Sequence, residues 1–216
     1  HSFTLFDPLR VEKVGHSVWS VSGTPADCAY LGLLELAKGA DFVISGINHG
    51  YNLGGDIFYS GTVAAAVEAA LRGTPAVAMS MGVGRGADFH RASRFCRSLV
   101  LGLQKNGLPP RTLLSVNVPG PKEPAPPAGA PTYQITRLGQ RMYRDHVDSR
   151  TDPRGNTYYW IGGPLATVNE PPGTDVHAIH SGLISVTPLG LDLTHQELMG
   201  TLPSWEVPGY QHLPSA

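Results

Sequence analysis

The chain has 216 residues and a formal net charge of −1. That length builds one domain of ordinary size, or one domain with an appendage, around a core that needs no staples. A near-neutral balance without clustered Lys or Arg argues against a nucleic-acid polymer or a membrane surface as partner.

From residue 20 to about residue 119 strand and helix patterns alternate. SVWSVSG (17–23) reads as a strand ending in Gly23. TPADCAYLGLLELAKG (24–39) reads as a helix: Thr24 is a good N-cap, Pro25 suits the first helical position and Asp27 stands three after the cap. DFVISGI (41–47) is a short continuous apolar strand, as expected in the middle of a parallel sheet. A helix opens at Ser60, with Val63, Ala66, Val67, Ala70 and Leu71 on one face and Gly73 closing it. PAVAMSM (75–81) is the next buried strand. The helix after Asp88 is expected to bury Phe89, Ala92, Phe95, Cys96, Leu99, Val100 and Leu103, and RTLLSVNVP (111–119) is the last strand of the series. Repeated β-α-β units of this kind make an α/β fold, a parallel sheet covered on both faces.

Composition then changes. PGPKEPAPPAGAP (119–131) is a proline-rich surface connection. Beyond it lie the strand-like TYQITRL, NTYYWIGG and GLISVTPL, separated by the turns DPRGN and NEPPGT. We divide the chain at this point: residues 1–119 form an α/β body and residues 120–216 a β-rich extension. The extension has too little apolar content for a core of its own, and is expected to pack on the body or on another subunit. Cys28 and Cys96 lie among apolar neighbours in predicted helices, as expected of buried free thiols in a reducing, cytoplasmic compartment. No apolar run approaches the length of a bilayer span, and no signal-peptide pattern opens the sequence.

The segment SGINHGYNLGGDIFYSGTVAAAVEAALRG (45–73) carries the chemistry. Ligands of parallel α/β sheets bind beyond the C-terminal ends of the strands, where this loop stands. The helix that follows offers unpaired N–H groups and the positive end of its dipole, Ser60 and Thr62 offer hydroxyls, and Gly61 lets an anion approach. Ser60 as a mere helix cap is the plain alternative. The accompanying Asn48, Asn52, Gly50, Gly54 and Gly55 tip the balance toward a backbone shaped around a ligand. The loop has no G-K-[ST] of a P-loop, no G-x-G-x-x-G opening a helix and no G-x-S-x-G elbow. It also has no Lys or Arg, so a bound phosphate would draw on a hard divalent cation, with Asn48 or Asn52 as amide ligands. Asp56, the only acid in the loop, is as readily a tether for loop N–H groups as a ligand.

These residues resemble the stationary-phase survival protein SurE family. The likeness is carried by HSFTLFDPLRVEKV, SGTPADC, the 41–80 block, LLSVNVP, ITRLGQRMYRD, DPRGNTYYW and TDVHAIHSGLISVTPLGLDLT, in family order over nearly the whole chain. The resemblance implies a metal-dependent phosphatase acting on nucleoside 5′- and 3′-monophosphates, and in some members on polyphosphate. It implies a three-layer Rossmann-like body and a C-terminal extension with a swapped hairpin or tail, giving a homodimer or homotetramer. By the same resemblance Asn48 is a metal ligand for magnesium or manganese, Asn52 lies by the phosphate, and Ser60, Gly61 and Thr62 form the phosphate and catalytic site. The family's T-N-D-D-G strand, with its acidic metal pair, and a serine ligand precede the point matched by His1-Ser2. This chain is therefore expected to lack a central strand, to expose sheet edges, to bind metal poorly and to be impaired in turnover.

Other residues have weaker claims. A covalent role for Ser60 lacks a paired base. His49 is a candidate contact for substrate or leaving oxygen, against a plain solvent-facing histidine. His177 and His180 form an H-x-x-H without a third zinc ligand in sequence. The YYW at 158–160 offers stacking faces, although strand aromatics more often pack. Arg137, Arg141 and Arg144 read as structural or subunit-contact residues, and Asp175 and His180 as supports of the oligomerisation arm. The alternative to an enzyme is a nucleotide- or phosphate-binding module without turnover.

Overall fold

The structure, a computed structural model, describes residues 3–130, 132–140, 146–162, 170–205 and 208–211. Its centre is a five-stranded sheet in the order β3 (Val43–His49), β4 (Ala76–Met81), β5 (Thr112–Val118), β9 (Ile184–Gly190) and β6 (Tyr133–Ile135). β3, β4 and β5 run parallel, β9 is antiparallel to β5, and β6 is parallel to β9. The sheet is thus mixed rather than wholly parallel, and its last two strands come from beyond the proline-rich connection.

Alternation along the strands assigns the layers. Val77, Met79 and Met81 of β4, with Leu114, Val116 and Val118 of β5, meet α3 (Phe89–Asn106) through Ala92, Cys96 and Leu103. Ala76 and Ala78, with Leu113, meet α2 (Gly61–Leu71) through Val63, Ala66, Ala69 and Ala70. The run of alanines lets a further helix, α1 (Pro25–Leu31), lie close against α2, so α2 buries more of its circumference than one face. Helices on both sides of the sheet make three layers.

The α1 start follows the sequence closely. Thr24 Oγ1 accepts from Asp27 N–H at 3.2 Å and Asp27 Oδ2 accepts from Thr24 N–H at 2.8 Å, a reciprocal capping box. The helix then loosens into a π-helical turn over Gly32–Leu36, where Ala37 N–H donates to Gly32 O.

Four expectations are corrected. The 17–23 strand does not open the parallel sheet: β2 (Val18–Val21) pairs antiparallel with β1 (Val11–Gly15) in a separate ribbon. The strand read at 41–47 is the outer strand of the five, with Ile44 47% exposed, and it runs on to His49. An apolar run marks a strand but does not say whether this chain covers it. Phe89 and Leu71 stand exposed at the ends of their helices, Phe89 beside the exposed His49 at the end of β3 and Leu71 on an open groove against β9. Cys28 is exposed, and only Cys96 is buried as expected.

The remaining elements are β7 (His146–Thr151) paired antiparallel with β8 (Thr157–Gly162), α4 (Asp175–His180) and α5 (Gln196–Thr201). The β7–β8 turn is tied by Asp152, whose Oδ1 accepts from the N–H groups of Arg154 and Asn156 at 2.8 Å each. No helix of the described residues is long and apolar enough to cross a membrane.

Candidate active site

Three parallel strands finish at one edge, and the row across that edge is polar. Asn48 of β3 pairs in register with Ser80 of β4, Ser80 with Asn117 of β5, and Asn117 with Ser185 of β9. The row begins where β3 slips register between Ser45 and Asn48. Gly46 in that slip has φ +113°, and a Cβ there would run into the Met79 carbonyl, so only glycine fits.

The glycine- and asparagine-rich loop lies against this row. Gly50 N–H donates to Met81 O at 2.9 Å and turns the chain back. Asn117 then grips the loop two residues on, as a strand would: Asn52 N–H donates to Asn117 Oδ1 at 2.9 Å, and Asn117 Nδ2 donates to Asn52 O at 3.1 Å. Asn52 Nδ2 donates to Ser80 Oγ at 2.7 Å. Both asparagines are buried, and each of these backbone groups would be costly to leave unpaired. Gly120 N–H donates to Tyr51 Oη at 2.8 Å. Leu53 packs on Val176 and Ile179, and Gly54 N–H donates to Asp175 Oδ2 at 2.8 Å. A short 3₁₀ turn, Gly54–Phe58, delivers the chain to Ser60.

Ser60 is the N-cap of α2. Its Oγ accepts from Val63 N–H at 3.1 Å and its carbonyl accepts from Ala64 N–H at 2.9 Å. Among the described residues the N–H groups of Gly61 and Thr62 have no such partner, and neither does the Thr62 hydroxyl. These donors, with the positive end of an 11-residue helix, are the groups that could hold an anion. Ser60 serves as a cap and keeps its own hydroxyl proton to donate. Gly61 has a packing reason as well, since a Cβ would meet Pro25 Cγ at 3.0 Å.

Asn48 is half-buried at the end of β3. Its Nδ2 donates to Gly50 O at 3.1 Å, which fixes Oδ1 as the atom able to ligate. His49 is exposed, with its ring 5.8 Å from that of Phe89. Both belong to the strand end rather than to the loop. Among the described residues there is no cluster of three or more His, Cys, Asp or Glu that would hold a metal. The Asn48 amide oxygen does not by itself fit a magnesium or manganese ion, which keeps at least one carboxylate.

Two buried acids flank the region. Burial works to raise the Asp27 carboxyl, but N–H and hydroxyl donors from Thr4 and Thr24 outweigh it and hold the group at about 2. Asp175 is 1% exposed, and burial pushes its carboxyl up despite N–H donors from Gly54, Gly139 and Val176. His177 and His180 share α4, with His177 Nδ1 buried and without a hydrogen-bond partner among the described residues and His180 exposed. Tyr158, Tyr159 and Trp160 are exposed on the hairpin, away from any core. Arg137 is exposed, while Arg141 and Arg144 lie outside the described residues.

Sequence reading found the loop and the cap. It missed Ser80 and Asn117, and it read Asp175 as a support of the oligomerisation arm without its bond to Gly54. The signal for the first two was present: each is a polar residue breaking a buried apolar strand, in AVAMSM and TLLSVNV.

Known proteins resemble the chain over most of its length. Residues 1–145 match the family model of the survival protein SurE. The 5′-nucleotidase SurE of Geobacter sulfurreducens is 46% identical over 209 residues, spanning 96% of this chain and 78% of its own. That of Anaeromyxobacter dehalogenans strain 2CP-C is 46% identical over 219 residues, spanning 100% and 84%. The crystal structure of the SurE protein from Aquifex aeolicus superposes with a TM-score of 0.78 at 37% identity, covering 94% of this chain and 81% of that one.

Proposed function

The chain belongs to the SurE family, and from that premise we propose that it is a nucleotidase that hydrolyses the phosphomonoester of nucleoside 5′-monophosphates. The observation that carries the reading is the start of α2, where two N–H groups and the Thr62 hydroxyl have no partner among the described residues, at the end of a loop that Asn52 pins to Ser80 and Asn117 of the polar row.

In this reading the phosphate sits at the helix N-terminus. The Gly61 and Thr62 N–H groups and the Ser60 and Thr62 hydroxyls bind its non-bridging oxygens. Their worth lies in being fixed beforehand, because negative charge spreads over those oxygens as the ester bond breaks. Asn52 lies by the phosphate, with its Nδ2 committed to Ser80, and His49 at the exposed rim contacts the nucleoside or the leaving oxygen. The seat reads phosphate rather than base, so 3′-monophosphates and polyphosphate are further substrates we expect. Magnesium or manganese, when bound, supplies charge neutralisation and a more acidic water. Asn48 Oδ1 is the ligand offered to it here, and the described residues do not complete its shell.

The exposed β7–β8 hairpin and α5 support assembly into a homodimer or homotetramer through a swapped hairpin or tail. An apolar groove of about 720 Å³ between α2 and the end of β9, lined by Val63, Val67, Leu71, Leu189 and Leu191, lies open for such a contact.

The test is phosphate release from a nucleoside 5′-monophosphate, with manganese titrated in and then chelated. Metal-dependent release supports the reading. A second reading, nucleotide binding with impaired or no turnover, is favoured by the lack of an acidic cluster among the described residues. It predicts binding by calorimetry without release.

A further inference from the structure

The loop that leads to the phosphate seat is held from outside by one short helix that lies more than a hundred residues later in sequence. We infer that Asp175, on α4, is a positioning residue for the seat: it fixes Gly54 and so makes substrate binding depend on the C-terminal part of the chain. The inference rests on the reading of the α2 N-terminus as a phosphate seat.

The geometry is specific. Asp175 Oδ2 accepts from Gly54 N–H at 2.8 Å, and Oδ1 accepts from Gly139 N–H at 2.7 Å and from its own neighbour Val176 at 2.8 Å. One carboxylate therefore joins three backbone segments: the loop, the turn after β6 and the start of α4. Apolar contact reinforces the polar one, since Leu53, Val176 and Ile179 form a buried cluster with Tyr51 packed on it. Gly54 has φ +51° and is buried, so its N–H cannot turn to water instead. Gly139 has no space for a side chain, because a Cβ would stand 2.7 Å from Glu170 Oε2 and 3.1 Å from Asp175 Oδ1. A neutral amide at position 175 has the same shape but presents an N–H₂ where one of these N–H donors needs an acceptor.

Gly54 lies between Asn52, pinned to Asn117, and Ser60, the cap of the seat. Loss of the Gly54 tether frees the middle of that span. The consequence falls on phosphate binding and on turnover together, because the displaced donors both hold the phosphate and meet the charge that spreads over its oxygens as the ester bond breaks. A displacement of about 1 Å remote from the reacting atoms is enough to cost roughly 10²-fold.

The experiment compares the full protein with Asp175→Asn and with Leu103→Ala, a buried change on α3 remote from the loop that lowers the melting temperature. Three things are read: hydrogen exchange of the Gly54 amide, kcat and KM for a nucleoside 5′-monophosphate, and the Kd for inorganic phosphate. Asp175→Asn is expected to expose the Gly54 amide, raise the phosphate Kd and lower kcat/KM by about 10- to 100-fold. Leu103→Ala is expected to leave kcat/KM and the phosphate Kd alone. Equal kcat/KM and Kd in wild type and Asp175→Asn would overturn the inference while leaving the phosphate seat in place. The same would follow from kcat/KM and Kd values that track melting temperature in both variants. A wild-type protein that neither releases nor binds phosphate would overturn both.

Discussion

Two parts of the molecule use similar side chains and end in opposite states. β4 (Ala76–Met81) is buried at every residue, while in β8 (Thr157–Gly162) every residue is exposed, including two tyrosines, a tryptophan and an isoleucine. Strand formation is common to both; cover is not. β4 has a strand on either side, α2 on one face and α3 on the other. β8 has β7 alone. An isolated two-stranded hairpin is marginal in water, and the large apolar side chains of β8 find no cover among the described residues. The site belongs with the first part: its polar row and loop are held by buried bonds within the chain.

The widest separation between the two parts is energetic. Met79→Ala, at a fully buried position facing α3, is expected to cost about 2–5 kcal/mol in denaturant unfolding. A cost below 1 kcal/mol would mean that the β4–α3 interface is loosely packed.

Acid sharpens the comparison next. The depressed Asp27 value means that its stabilisation is present above the usual carboxylate value of 3.8 and lost as pH falls from there toward about 2. Asp175 is raised, so its contribution runs the other way, fading as pH rises through its folded value. The difference between wild type and Asp27→Asn cancels Asp175. That difference in melting temperature is expected to shrink between pH 5 and pH 2, and a constant difference would break the account of the α1 cap.

The smallest effect is expected on the hairpin. Trp160→Ala should change the stability of the dilute chain by less than about 0.5 kcal/mol. A larger loss that grows with protein concentration would show the hairpin covered by a second copy.

Much of this was legible in the sequence, for identifiable reasons. Helix starts are local: Thr24 with Asp27, and Ser60 ahead of an alanine run, declare themselves within four residues. The loop declared itself by its glycines and asparagines, and Gly46 and Gly50 prove to hold positive φ angles. What was not legible depends on pairing across long separations. Nothing near Asn117 says that it faces Asn52, 65 residues away, and nothing near Asp175 says that it holds Gly54, 121 residues away. The ribbon of β1 and β2 and the entry of β9 between β5 and β6 were missed for the same reason. Periodicity marks a strand and its faces, but not its neighbours.

The central claim is that the start of α2 binds the phosphate of the substrate. Thr62→Val tests it most directly, because it removes a hydroxyl with no partner among the described residues and leaves the Ser60 cap intact. The measurement is kcat/KM for phosphate release from a nucleoside 5′-monophosphate. The account predicts a fall of about 10- to 100-fold, the worth of one hydrogen bond to a charged group, with melting temperature unchanged. An unchanged kcat/KM would place the phosphate elsewhere.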